Sequence, residues 1–220
     1  MLSSFSTFAD RLDAGARLAE RLEVYAGPDV LVLGIPRGGV PVAAVVARHL
    51  NAELDIIVAR KLGAPDQPEL AIGAVTANGG RYLNQALIGE AQVSDEFLEA
   101  ITAREMAEAQ RRERVFRGGR PAPRIEGRTV IVIDDGLATG ATMRAAVRSV
   151  RSRKPARLIV AVPVAPPATC AALRAEADEV VALLEPELFF AVGLYYDDFR
   201  PTPPDEIERL LRQPSPNSLR

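Results

Sequence analysis

Residues Val130–Thr142 read VIVIDDGLATGAT. Four β-branched apolar residues run straight into two adjacent aspartates, Asp134 and Asp135, and then into a loop of small residues. An unbroken apolar run suits a strand buried on both faces, as in a parallel sheet. Two ionised carboxylates side by side repel unless something positive or hydroxylated binds them. A diol satisfies the pair, one hydroxyl to each carboxylate. The loop Ala138, Thr139, Gly140, Ala141, Thr142 lets the backbone curl, so that several N–H groups converge where a helix begins. With the helix dipole and two threonine hydroxyls, that is a cradle for one phosphate group. It has neither the lysine of a triphosphate-binding loop nor a GxGxxG pattern. On its own the loop is equally a tight turn capped by threonines. Beside a diol acceptor it outlines a site for ribose 5-phosphate.

The same grammar occurs earlier. VLVLGI (Val30–Ile35) is a second apolar run without alternation, broken by PRGGVP, with Pro41 suited to the first turn of a helix. VAAVVARHL then places Val42, Val45 and Val46 on one face, and ELDIIVAR reads as the next strand. The result is a βαβ unit with a glycine loop after its first strand. Further strands are predicted at Thr129–Ile133, RLIVAVPV and EVVALL, with helices at Ala141–Arg153 and Ala168–Ala177 between them. Alternating strands and helices predict an α/β fold, a parallel sheet flanked by helices. Ligands of such sheets sit beyond the carboxyl ends of the strands, where both glycine loops lie.

Around this core, residues 1–212 are expected to form a single domain. An amphipathic helix is predicted over Ser3–Tyr25, stopped by Gly27-Pro28. Lys61–Asn84, with two prolines, several glycines and one short strand candidate at Ala71–Thr76, reads as a long loop or hairpin, the usual form of a mobile lid. A helix is predicted over Ser94–Arg114 with Ser94 as N-cap. Its apolar face, Phe97, Leu98 and Ile101, fades after Met106, so its second half is expected to project or to pack on another subunit. FFAVGLYYDDFRPTPPDEIERLL is expected to give a strand, an aromatic-acidic turn and a short helix, forming a small hood over 186–212. Residues 213–220 are expected to be disordered.

Composition narrows the function classes. The formal net charge of −2 gives no electrostatic argument for a nucleic-acid partner, and the arginines between Arg111 and Arg128 read as a charge-mixed, solvated segment. One cysteine, Cys170, and one histidine, His49, exclude a disulfide framework and a multi-histidine metal site. His49 is expected near the apolar face of its helix and Cys170 in the core, both structural. No run is long enough to span a membrane, and nothing near Met1 has the pattern of a secretory leader. A cytoplasmic location is expected.

VIVIDDGLATGAT resembles the motif that binds phosphoribosyl pyrophosphate (PRPP) in type I phosphoribosyltransferases, and GIPRGGVP resembles their pyrophosphate loop. The resemblance covers about Val30 to Asp198. It implies the type I phosphoribosyltransferase fold, with the helix of 94–114 as an insertion. It implies that Asp134 and Asp135 hold the ribose hydroxyls and Ala138–Thr142 the 5-phosphate. Arg37 and the amides of Gly38 and Gly39 are implied to face pyrophosphate, in a loop where the family often has a cis non-proline peptide. Arg60-Lys61 resembles a basic pair that precedes the mobile loop of adenine-using members, making Lys61 a candidate pyrophosphate contact and Glu69 a candidate acid or base. The hood resembles that of hypoxanthine–guanine members, implying that Phe190 stacks on the base and that Asp197 lies near magnesium. Mg²⁺ is the implied cofactor, bound mostly through substrate oxygens and water. The implied partners are PRPP and a nitrogenous base, expected to be a purine, and a homodimer is expected. Two departures bear on the base. Ala138 stands where hypoxanthine–guanine members carry an aspartate, and IVAVPVAPP lacks their purine-selecting lysine. A PRPP-binding regulator without catalysis is the alternative, and a hydrolase acting without an acceptor a third reading.

Overall fold

The apolar runs pair with one another. In the computed structural model, which describes residues 7–212, helix α1 (Arg11–Leu22) leads into strand β1 (Val30–Gly34), helix α2 (Gly39–His49) and strand β2 (Glu53–Ile56). Strands β3 (Ala59–Gly63), β4 (Ala71–Thr76) and β5 (Arg81–Leu83) follow, then helices α3 (Gln85–Glu90) and α4 (Asp95–Arg117). Next come β6 (Thr129–Ile133), α5 (Ala141–Arg151), β7 (Arg157–Val164), α6 (Pro167–Arg174), β8 (Glu179–Leu184) and α7 (Pro204–Arg212).

One sheet runs in the order β2-β1-β6-β7-β8 and is parallel throughout. Successive side chains of a strand point to opposite faces, so each central strand feeds two cores. Leu31, Leu33, Val130, Val132, Val160 and Val162 pack under Met143, Ala146, Val147 and Val150 of α5. Val30, Val32, Ile131, Ile133, Ile159 and Ala161 pack under Leu18 and Leu22 of α1 and Val42, Ala43 and Val46 of α2. This double burial is why the strands read as unbroken apolar runs.

The strand order fixes the site. From β1 the chain leaves through α2 to β2 on one side; from β6 it leaves through α5 to β7 on the other. The connections after β1 and β6 therefore diverge to opposite faces, opening a crevice at the strand ends between them. Both glycine loops border that crevice.

Several expectations change. The run ELDIIVAR is two strands, because β2 ends at Ile56 and the chain leaves the main sheet for β3. Of the loop or hairpin expected over Lys61–Asn84, the hairpin forms: β3, β4 and β5 make an antiparallel sheet, with β4 at the expected strand Ala71–Thr76. Only Ala64–Leu70 connects β3 to β4, closed by the Ala64 N–H donating to the Leu70 carbonyl at 3.0 Å. Third, α4 does not project. Its buried residues Leu98, Ile101, Glu105, Ala109, Glu113 and Phe116 continue the helical spacing along its length, and two of its charged residues, Glu105 and Arg117, are paired with the body. Arg60 reaches Glu105 at 2.7 Å, and Arg117 reaches Asp55 of β2 at 2.9 Å and pairs with Glu113. Ser94 caps this helix as expected, accepting from the Phe97 N–H at 3.2 Å.

Fourth, the C-terminal segment has no strand. Val192–Tyr195 is a 3₁₀ turn; its Val192 and Tyr195, spaced by three as that helix requires, share a cluster with Phe8 and with Phe189, which precedes the turn. Helix α7 also leaves the hood: Ile207, Leu210 and Leu211 pack with Val40, Ile56 and Phe116. His49 is exposed at the end of α2 rather than near its apolar face. Cys170 is buried in the core, which pushes its thiol up to about 11. The first predicted helix begins only at Arg11, because Asp10 caps it and Phe8 instead bridges to Tyr196; residues 3–6 of that prediction and the tail 213–220 lie outside the described residues. Among the described residues no helix is long and apolar enough to cross a membrane.

Candidate active site

Asp134 and Asp135 follow the last residue of β6, and the loop after β1 lies against them. A Cβ built on Gly38 would sit 1.8 Å from Asp135 Oδ2. One on Gly39 would sit 2.7 Å from the Ile133 carbonyl oxygen and 2.8 Å from Asp134 Cα. Gly38 has φ −65°, which any residue adopts, so the requirement there is for space. Gly38→Ala should displace the Asp135 carboxylate while leaving the core untouched. Since misplacement by about 1 Å can cost roughly a hundredfold, a loss of that order in PRPP affinity is expected by calorimetry, with the melting temperature nearly unchanged. The Pro36–Arg37 peptide is cis, as the resemblance implies for this loop.

Each carboxylate of the pair has protein contacts. The Asp135 N–H donates to Asp134 Oδ1 at 2.9 Å. Arg11, from the first turn of α1, donates its Nε to Asp135 Oδ2 at 2.8 Å, and its Nη2 lies 2.8 Å from the same oxygen. The Tyr196 hydroxyl donates to the Asp135 carbonyl at 2.6 Å. Burial pushes the Asp134 carboxyl well above the usual carboxylate range, and the charge of Asp135 pushes the same way. Burial also raises Asp135, but the Arg11 guanidinium opposes the rise. The pair is therefore arranged to hold a proton on Asp134 before Asp135.

The loop that follows is pinned at its start. Leu137 N–H donates to the Val164 carbonyl at 2.9 Å, and the Thr169 hydroxyl donates to the Ala138 carbonyl at 2.6 Å. Gly140 takes the left-handed conformation, φ +70°, and a Cβ there would meet Thr169 Cγ2 at 2.8 Å. Helix α5 starts at Ala141 with no side chain capping it, so first-turn N–H groups that have no intrahelical acceptor point at the crevice. Ala138 and Thr139 are exposed. Gly136 is explained by the hood: a Cβ there would lie 2.5 Å from Val192 Cγ1.

A cavity of about 550 Å³ opens beside the glycine loop and brings together Arg37, Lys61, Glu69 and Thr142. Lys61 lies on β3 and Glu69 on the short β3–β4 connection; α4 closes the far wall with Phe97, Ile101 and Arg104. Gly38, Gly39, Asp134, Asp135 and Ala138–Ala141 are outside its lining, on the two loops beside it, and Phe190 and Asp197 lie on the C-terminal segment. Phe190 is 78% exposed and does not line this cavity. Asp197 is exposed, and its backbone N–H donates to the Phe8 carbonyl at 2.9 Å. Among the described residues no cluster of three or more His, Cys, Asp or Glu is placed to hold a metal ion. Arg11, Tyr196 and Thr169 were not singled out from the sequence. Each acts on a residue at least 31 positions away, and nothing local marks it.

Comparison with known proteins identifies the family. A protein of Mycobacterium tuberculosis, provisionally named a phosphoribosyl transferase, is 45% identical over 204 residues, 93% of this chain. The chain spans 46% of that relative's length. The crystal structure of TT1426 from Thermus thermophilus superposes with a TM-score of 0.79 at 44% identity, covering 93% of this chain and 97% of that one. The phosphoribosyl transferase domain family matches residues 6–198, which include both glycine loops and the acidic pair. The chain belongs to the phosphoribosyl transferase domain family.

Proposed function

We propose that this protein transfers the 5-phosphoribosyl group of PRPP to a nitrogenous base, with a purine as the expected class, and releases pyrophosphate. The observation that carries the reading is the contact between the two loops. Gly38 touches Asp135, and Gly39 touches the backbone of Asp134, so a diol acceptor, a phosphate cradle and a second glycine loop share one crevice. Breaking the bond from C1 of the ribose to pyrophosphate builds positive charge on the sugar and negative charge on the leaving group. Asp134 and Asp135 hold the ribose hydroxyls, and Ala138–Thr142 hold the 5-phosphate through backbone N–H groups. Arg37 and the amides of Gly38 and Gly39 stabilise the charge on departing pyrophosphate, and Lys61 adds to it. Glu69, on the cavity wall, is proposed to exchange a proton with the base; stacking by Phe190, which lies exposed outside the cavity, requires the hood segment to move over the base. Water competes with the base as nucleophile, so the β3–β4 connection is proposed to close as a lid. Mg²⁺ would supply charge neutralisation to the pyrophosphate, and Asp197, exposed outside the cavity, is the carboxylate that the resemblance implies for it. A homodimer in the cytoplasm, with no nucleic-acid partner, completes the proposal.

One observation favours a second reading. The acceptor side is open, with Phe190 exposed and Ala138 carrying no acid. A PRPP-binding regulator needs the phosphate loops and no base pocket. Incubating the protein with Mg²⁺, PRPP and a panel of purines and pyrimidines, and following pyrophosphate, separates the readings. Base-dependent release is the expected result. PRPP binding without product from any base contradicts the transferase reading and leaves the regulator. Release without a base identifies a hydrolase.

A further inference from the structure

We infer that Arg11 is the positioning residue of the acidic pair: it fixes the Asp135 carboxylate, and keeps it available as an acceptor, from the opposite end of the chain. The inference rests on the reading of Asp134 and Asp135 as the ribose site. Arg11 and Asp135 are 124 residues apart in sequence, yet their side chains are only 12% and 14% exposed. Every nitrogen of the guanidinium has an acceptor. Nε and Nη2 share Asp135 Oδ2, and Nη1 donates to the Arg200 carbonyl at 2.8 Å. The guanidinium also lies 4.0 Å above the centre of the Phe199 ring. A side chain held on three edges and one face is a fixed part, unlike a surface arginine that pairs in passing.

The direction of the contact matters for binding. Arg11 approaches Asp135 through Oδ2, the oxygen nearest Gly38, and leaves Oδ1 to other donors. Tyr196 holds the backbone of the same residue. Asp135 is thereby gripped by α1, by the C-terminal aromatic segment and by the loop after β1, three elements far apart in the chain. α1 is itself set in place by Asp10, whose side chain accepts from the N–H groups of Leu12 and Asp13.

The charged and titratable groups around Arg11 are Asp134 and Asp135 after β6, and Tyr196, Asp198 and Arg200 in the C-terminal segment. Asp198 is held down to about 2 by Arg200, and burial pushes the Tyr196 phenol far above its ordinary value. Neither changes charge between weakly acidic and weakly basic pH. Burial raises both members of the acidic pair, and Arg11 is the cation that opposes their protonation.

The test uses calorimetric titration of PRPP with Mg²⁺ into the wild type, Arg11→Gln and Arg11→Lys, across the acid to neutral range. It is paired with carboxyl-carbon NMR of Asp135 in the ligand-free proteins. For Arg11→Gln, loss of a charged hydrogen bond predicts PRPP binding weaker by roughly tenfold to a hundredfold. The acid limb of binding and the Asp135 titration should both move to higher pH. Arg11→Lys should restore the acid limb and recover only part of the affinity, because one ammonium cannot span Asp135 and the Arg200 carbonyl as the planar fork does. Unchanged or tighter binding by Arg11→Gln overturns the inference, since Arg11 would then merely fill the ribose site. Equal losses in both variants, with the Asp135 titration unmoved, overturn it in favour of a structural role. Failure of the wild type to bind PRPP contradicts the proposed function instead, and the NMR titration then still decides whether Arg11 sets the charge of Asp135.

Discussion

Replacing both Asp134 and Asp135 by Asn is expected to remove nearly all measurable PRPP binding while the fold persists. Each carboxylate is assigned one ribose hydroxyl, and a hydrogen bond to a charged group contributes about 1.5–3 kcal/mol. Losing both costs roughly 3–6 kcal/mol, or about a hundredfold to ten-thousandfold in affinity. Calorimetric titration reads this directly, and affinity within about threefold of wild type would remove the pair from the site. The single change Asp134→Asn carries a further expectation, because it keeps the Arg11–Asp135 pair. The folded-state pKa of Asp134 is raised by burial and by Asp135. Its contribution to stability is thus fully present below the unfolded-state value and is lost as pH rises through the raised folded value. Wild-type thermal stability should decline across that window. Asp134→Asn should flatten the decline and be more stable above it, at the expense of ligand affinity.

Arg117→Ala is the largest expected loss of stability. Arg117 donates Nε to both oxygens of Asp55, at 3.2 and 2.9 Å, and Nη2 to the Ile56 carbonyl at 3.1 Å, and it pairs with Glu113. Arg117 and Asp55 have side chains 10% and 7% exposed. Glu113 is also buried. Removing the cation strands two buried carboxylates, which typically costs about 3–5 kcal/mol. Arg153 acts on the same two carboxylates, which places the expectation at the lower end, about 3 kcal/mol in urea unfolding. Asp55 is already raised by burial against the pull of Arg117, so the variant should lose further stability as pH rises and this carboxyl is forced to ionise. A change below about 1 kcal/mol, the worth of an exposed ion pair, would show that α4 is not anchored through this cluster.

The two kinds of interaction differed in how far the sequence disclosed them. β1, β6 and β7 were readable because burial on both faces leaves no polar position, and the glycine loops because a phosphate cradle needs small residues in consecutive order. Local order carries that information. The second half of α4 was misread because Glu113 and Arg117 look like a solvent-facing pair one turn apart until Asp55 of β2 is brought to Arg117. A buried carboxylate is recognisable only with its cation. Arg11 was invisible for the same reason, since the first residue of an amphipathic helix gives no sign of a partner beyond β6. The hood was misjudged on period. Val192 and Tyr195, three residues apart in a 3₁₀ turn, pack with Phe189 and Phe8, and Val192 lies against Gly136, where the apolar run suggests a strand. Phe190 and Asp197, carried over by resemblance, lie on this segment and are exposed. The acceptor side is accordingly the part of the site that the fold specifies least.

The crystal structure of the protein with PRPP and Mg²⁺ tests the central claim most directly. The account predicts the 5-phosphate against the N–H groups of Ala138–Thr142, the ribose hydroxyls on Asp134 and Asp135, and the pyrophosphate beside Arg37, Gly38 and Gly39. PRPP bound with its 5-phosphate away from the N-terminus of α5, or with its ribose out of reach of both aspartates, would contradict it.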